Sequence, residues 1–241
     1  MPDPRAPGAD RRAPVVLAFD TAASACSVAV GRGDAVLAYE RRDMRHGHAE
    51  SLLPMIDRAM AAAGLAPGAI DIVAVSVGPG GFTGIRAGLA AAQGLTLAAR
   101  ARLVGISSFA AVMALVPRGD ANVLVALDSR REDLYVQIFM ASGDPYAAPA
   151  AVLPAELDRF VAAAIGDGPL RVAGDATGAA VGALGDRKAV DCVTGSAPDA
   201  LGVLAAAHMR RDATETTARP LYLRAPDVSF PKARRIIGGA A

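Results

Sequence analysis

The sequence predicts an α/β protein of two duplicated lobes with a cleft between them. Short apolar runs carrying β-branched residues alternate with longer runs of helical spacing, as strands feeding helices do. One pattern occurs twice. Leu17-Ala-Phe-Asp20 is matched by Val125-Ala-Leu-Asp128; six, eight and ten residues later come Cys26, Val28 and Val30 in one copy and Leu134, Val136 and Ile138 in the other. Each copy reads as an apolar strand ending in Asp, a turn and an alternating strand, which points to two βββαβα units. Chance similarity between two strand pairs is the competing reading. The third observation is a glycine-rich junction, Gly78-Pro-Gly-Gly81, between an apolar strand and a long Ala/Leu/Gly run.

The elements follow in order. Residues 1–14 are rich in Pro, Arg, Asp and Gly and lack the apolar core of a signal peptide, so they are expected to be a floppy lead-in. A first lobe is expected over 15–116. Strands at 25–31 and 35–41 follow the strand at 15–20, with Gly31-Arg-Gly-Asp34 as the hairpin turn. Leu52, Leu53, Ile56, Ala59, Met60 and Ala63 fall at helical spacing over 49–63, and Gly64 ends that helix. A strand at 73–77 breaks at the glycines, and Thr83 is placed to cap a helix running to about Arg100. A short strand at 103–104 and a helix opened by Ser107 or Ser108 complete the lobe, with a boundary at 117–120. The second lobe, 117–226, carries strands at 125–128, 134–138, 150–153, 170–173 and 190–194. Its helices are expected at 154–165, after Asp175 and at 198–210. An extended stretch over 220–226 precedes a mobile tail at 227–241.

Composition limits the function classes. With 25 basic and 24 acidic residues the net charge is +1, without the basic excess of a protein that grips nucleic acid unaided. Arg41-Arg42 with Arg45, Arg130-Arg131 and Arg210-Arg211 have acids beside them and read as solvated faces. Cys26 and Cys192 sit in apolar strand-like contexts and are expected to be buried thiols of a reducing compartment. No uncharged apolar run reaches the ~18 residues of a membrane span. A cytoplasmic protein is expected.

The glycine junction aims free N–H groups and a helix dipole at one spot, which suits a phosphate, another anion or a partner's backbone. A tight turn without a ligand explains it equally well. The P-loop pattern fails, because Ile85-Arg86 follows Gly84 where a lysine and a hydroxyl are needed. The dinucleotide fingerprint fails too, since Thr83 stands in place of its last glycine. His46, His48 and His208 have no metal-ligand spacing and no Cys-x-x-Cys run occurs, so no metal site is expected. A nucleophile elbow is also lacking. Asp20 and Asp128 remain: facing a cleft they could hold Mg²⁺ through water, or each could accept turn N–H groups at its strand end.

Leu17-Ala-Phe-Asp-Thr21, His48-Ala-Glu-Ser-Leu-Leu-Pro54, Ser76-Val-Gly-Pro-Gly-Gly-Phe-Thr-Gly-Ile-Arg86, Asp128-Ser-Arg-Arg131 and Pro220-Leu-Tyr-Leu-Arg224 resemble the signature runs of the TsaB (YeaZ) family. The resemblance runs from about Val15 to Arg224. It implies the acetate kinase/Hsp70/actin-like fold of two duplicated lobes. It further implies a non-catalytic subunit of the machinery that makes N6-threonylcarbamoyladenosine at position 37 of tRNAs reading ANN codons. In that family the catalytic partner is TsaD, a paralogue with metal-binding histidines; the ATPase TsaE joins the complex, and tRNA is met only through it. The helices at 49–63 and after Gly84 would then form the contact with TsaD, through Leu52, Ile56, Thr83, Gly84, Arg86, Ala87, Gly88 and Ala91, with no catalytic residue. The same helices could pair two copies of the isolated chain. Small residues at helical spacing allow such close approach, although they could equally pack inside their own lobe. Asp20, Thr21, Gly80 and Gly81 are the candidate cofactor-binding positions. The rival reading is an active small-molecule kinase or ATPase of the same fold using Asp20 and Asp128.

Overall fold

The computed structural model describes residues 13–185, 187, 190–193, 197–210 and 218–224. Residues 1–12 of the expected 1–14 lead-in, residue 194, Arg211, residues 225–226 of the expected extended stretch and the tail at 227–241 lie outside them. The first half runs β1 (Val15–Asp20), β2 (Ala25–Arg32), β3 (Ala35–Asp43), α1 (His48–Ala62), β4 (Ile72–Ser76), α2 (Phe82–Ala99), β5 (Arg102–Ile106) and α3 (Ser108–Leu115). The second half repeats the order: β6 (Asn122–Asp128), β7 (Leu134–Phe139), β8 (Ala150–Val152), α4 (Leu157–Ile165), β9 (Leu170–Ala173), α5 (Thr177–Leu184), β10 (Val190–Cys192) and α6 (Ala200–Met209).

Each half forms a five-stranded mixed sheet, ordered β3-β2-β1-β4-β5 and β8-β7-β6-β9-β10. The central strands β1 and β6 each pair antiparallel with the next strand and parallel with a strand reached through a helix. This is the duplicated α/β architecture of the acetate kinase/Hsp70/actin-like fold.

The layers follow from the faces of the central strands. Leu17 and Phe19 pack with Leu52, Met55, Ile85 and Leu89, so α1 and α2 cover one face of the first sheet. Val16 and Ala18 face the other way, against α3 and α6 through Ala111, Val203 and Ala207. Helix α3 also meets the second sheet, Phe109 and Val112 packing on Val123, Val125 and Phe139. Helices α4 and α5 close that sheet's outer face. Each large apolar side chain buried this way stabilises the fold by about 1.5–3 kcal/mol. Helix α6 is tied to the first sheet by polar contacts as well. Asp199 Oδ1 caps it, accepting from Leu201 N at 2.7 Å, its Oδ2 accepts from Tyr39 Oη at 2.9 Å, and Ala200 N donates to Ser27 Oγ at 2.9 Å.

The structure adjusts several expectations. The internal match slips by one residue in β6: Leu17 and Phe19 face α1 and α2, but the residues facing α4 and α5 are Leu124 and Ala126. The cause is a shorter second turn, since Asp20 pairs with Ser27 whereas Asp128 pairs with Leu134. A one-residue slip moves every side chain to the other face of a strand. Gly81, not Thr83, occupies the N-cap of α2, with no side-chain cap. Ser107 does cap α3, its hydroxyl accepting from Ala110 N at 3.1 Å. The helix expected from 154 opens as a 3-10 turn over Pro154–Glu156 before α4. Cys26 is buried but Cys192 is exposed, because β10 is a three-residue strand at the sheet edge.

Candidate functional site

The glycine junction is filled by the protein's own β1–β2 turn. Gly81 N donates to Ala22 O at 2.8 Å, and Thr21 Oγ1 donates to Gly84 O at 2.8 Å in a buried position. The glycines make room for that turn. A Cβ at Gly80 would stand 2.3 Å from Ala22 O, one at Gly84 would stand 1.9 Å from Thr21 O, and one at Gly88 would stand 2.4 Å from Thr21 Oγ1. Gly78 has φ 97°, a left-handed conformation that favours glycine. Thus Thr21, Gly80 and Gly81 come together, with the Gly81 amide taken by Ala22 O and the room beside Gly80, Gly84 and Gly88 filled by the turn.

Asp20 is fully buried at the end of β1. Its Oδ1 accepts from Ala22 N at 3.2 Å and Ala23 N at 3.1 Å, which is the turn-capping role of an aspartate. Burial pushes its carboxyl above the ordinary value; Ser76 and the turn amides oppose the rise, and the charge of Asp199 adds to it. Oδ2 and Ser76 Oγ have no partner of regular hydrogen-bond geometry. Asp128 is exposed, its Oδ1 accepting from Arg130 N at 2.7 Å, while its own N–H donates to Asp175 Oδ1 at 2.9 Å. Between the turns that follow the two aspartates lies a small pocket of about 20 Å³, bordered by Ala22, Gly80, Asp128, Arg130 and Asp175. That is room for about one water, where small-molecule pockets occupy roughly 300–1,000 Å³. A larger hollow of about 380 Å³ contains none of these residues; Met113, Val116, Phe139, Arg171 and Met209 are among its walls. Among the described residues no group of three or more His, Cys, Asp or Glu is placed to hold a metal ion.

The helix pair α1/α2 divides the expected interface residues into two sets. Leu52, Ile56, Gly84 and Gly88 are buried within the first lobe, where Leu52 and Ile56 pack in the core and both glycines pack on Thr21. They offer no surface to a partner. Thr83 and Arg86 are exposed, Ala87 and Ala91 half-buried. The outward stripe of α2 continues through Ala90, Gly94 and Leu97, with Leu97 83 % exposed and Leu53 of α1 51 % exposed. Three- and four-residue steps keep this stripe on one side of α2. Small side chains and Leu97, with the polar Gln93 also exposed among them, make an uncharged outward side of α2 beyond Arg86.

The sequence did not show how residues 218–224 would lie across the junction. Leu221 N donates to Val77 O at 2.8 Å, and Tyr222 stacks on Phe82 with ring centroids 5.1 Å apart. Arg86 lies over the Phe82 ring at 3.6 Å, its Nε donating to Tyr222 Oη at 3.3 Å. Arg224 reaches the second lobe, where it pairs at 2.7 Å with the buried Asp133. Pro220-Leu-Tyr-Leu-Arg224 was the one available signal, and it named the segment without its contacts.

Comparison with known proteins adds to this geometry. Residues 42–164 match the profile of the family described as TsaD: tRNA N6-adenosine threonylcarbamoyltransferase. The chain is 36 % identical over 122 residues to the tRNA threonylcarbamoyladenosine biosynthesis protein TsaB of Escherichia coli, a match covering 50 % of this chain and 52 % of that protein. It thus spans about half the length of such curated relatives. An uncharacterized protein of Mycobacterium bovis is 35 % identical over 88 % of this chain and 92 % of its own length. Among solved structures, YeaZ from Pseudomonas aeruginosa is similar with a TM-score of 0.75 at 27 % identity, over 87 % of this chain and all of that one.

Proposed function

The chain belongs to the TsaB (YeaZ) family, and we propose that it serves threonylcarbamoyladenosine formation on tRNA as a non-catalytic partner that binds and activates the transferase TsaD. The observation that carries this reading is the filled glycine junction. One amide that could meet a phosphate, Gly81 N, is taken by Ala22 O, the space beside Gly80, Gly84 and Gly88 is filled by Thr21 and Ala22, and the pocket bordered by Ala22, Gly80, Asp128 and Arg130 holds only about 20 Å³. A scaffold arranged this way is useful through its surface.

The surface proposed for TsaD is the outward stripe of α2 together with Leu53 of α1. It carries Thr83, Arg86, Ala87 and Ala91 of the expected set and extends along Ala90, Gly94 and Leu97. Helices approach closely where side chains are small, and removing two exposed leucines from water supplies a favourable term. TsaE would join the TsaD complex, tRNA would be met through it, and the same face would serve self-pairing when TsaD is absent.

Ala90→Glu tests the assignment. Position 90 is exposed, so the isolated chain should fold normally, yet a charge inside a dry helix contact costs several kcal/mol. Titration calorimetry should show TsaD binding lost or weakened at least about a hundredfold. Unchanged affinity would remove this face from the proposal.

A further inference from the structure

Arg86 is held in one orientation, and among the described residues no ion pair joins it. Its guanidinium lies 3.6 Å from the Phe82 ring centroid, and Tyr222 Oη accepts from Nε at 3.3 Å. Phe82 and Tyr222 pack against each other, their rings 5.1 Å apart and tilted by 35°. The strap carrying Tyr222 is anchored on either side, by Leu221 N on Val77 O and by Arg224 on Asp133, a carboxylate only 1 % exposed. Among the described residues no carboxylate lies within ion-pair distance of Arg86, whereas the exposed Arg58 and Arg41 have Glu40 and Asp43. An arginine stacked on an aromatic ring gives up little rotamer freedom when it binds, and its free fork matches a carboxylate in bidentate geometry.

We infer that Arg86, preorganised by Phe82 and the strap residue Tyr222, is an anchor that takes a carboxylate side chain of the protein docked on α2. The inference rests on the reading of that helix face given above and adds the chemistry of one contact to it. A carboxylate is favoured over an RNA phosphate because the stripe continuing from Arg86 is Ala87, Ala90, Gly94 and Leu97, an uncharged surface that complements a helix rather than a phosphate backbone. Interface energy concentrates on such arginine and aromatic anchors. The strap is therefore part of the docking surface, although it lies more than a hundred residues from α2 in sequence.

The test compares Arg86→Ala, Arg86→Lys and Tyr222→Phe with Ala90→Glu, measuring TsaD affinity and thermal midpoint. Arg86→Ala should weaken TsaD binding about tenfold or more with an unchanged midpoint, and Arg86→Lys should recover little of it, since an ammonium cannot stack or fork. Tyr222→Phe keeps the ring and loses the oxygen that holds Nε, so a smaller loss of about threefold is expected. Normal binding by Arg86→Ala alongside lost binding by Ala90→Glu would overturn the anchor and leave the face standing. Normal binding by both would overturn the face and the anchor together. A loss of tRNA affinity in Arg86→Ala, with TsaD affinity intact, would also overturn it.

Discussion

Replacing Gly84 by alanine separates a packed junction from an open ligand cradle. The new Cβ would stand 1.9 Å from Thr21 O and 3.0 Å from Thr21 C, both backbone atoms of the β1–β2 turn. Neither can step aside like a flexible side chain, so the overpacking cost belongs at the upper end of the usual range, about 3 kcal/mol. Displacing the turn also strains the buried Thr21 Oγ1 bond to Gly84 O, 2.8 Å long and worth about 1 kcal/mol. Alanine returns about 1 kcal/mol of helix propensity, leaving a net loss of about 3 kcal/mol. For a chain of this size that is a fall of roughly 6–12 °C in thermal midpoint. Gly94 is the internal control, because it lies in the same helix with nothing within 4 Å of its added Cβ. Gly94→Ala should gain up to about 1 kcal/mol. Differential scanning calorimetry of the two variants measures the contrast. Equal midpoints would mean that the turn does not fill the junction, and the account of the glycines would fail.

Two further variants test the turn and the strap. Asp20→Asn should be at least as stable as the parent at neutral pH, because burial raises the carboxyl above its ordinary 3.8 and makes the ionised form costly. A raised carboxylate contributes stability that is present below about 3.8 and is lost as pH rises through the folded value. The gain from Asn should therefore shrink as pH falls through that window, and a gain that grows on acidification would refute the sign. Arg224→Ala should lower the midpoint by an amount equivalent to about 1–3 kcal/mol, since it leaves the buried Asp133 without its cation. Asp133→Asn in the same chain should recover part of that loss, and a strictly additive double variant would argue against the pairing.

Much of the architecture was legible because local chemistry and global fold agree. The alternation of Leu17/Phe19 with Val16/Ala18, the glycine after α1 and Ser107 at the start of α3 each act within a few residues. The repeat was visible as well, but pairing register is set by turn length. A turn one residue shorter in the second copy shifts Asp128 off the face that Asp20 occupies. The site was read less completely. A glycine run tells the reader that something approaches the backbone closely, and only tertiary structure shows that the visitor is Thr21-Ala22. Helical spacing likewise grouped Gly84 and Gly88 with Ala87 and Ala91, yet a helix has two sides and the first pair faces inward. The Arg86–Tyr222 contact joins residues 136 positions apart, a separation that no local pattern encodes.

The most direct measurement is the yield of threonylcarbamoyladenosine on an ANN-reading tRNA in a reconstituted reaction containing TsaD, TsaE and the threonylcarbamoyl-AMP donor. Adding this protein should raise the yield strongly, Asp20→Asn should perform like the parent, and Ala90→Glu should perform like no addition. Full yield with Ala90→Glu, or a requirement for the Asp20 carboxylate, would contradict a role exercised through the helix surface.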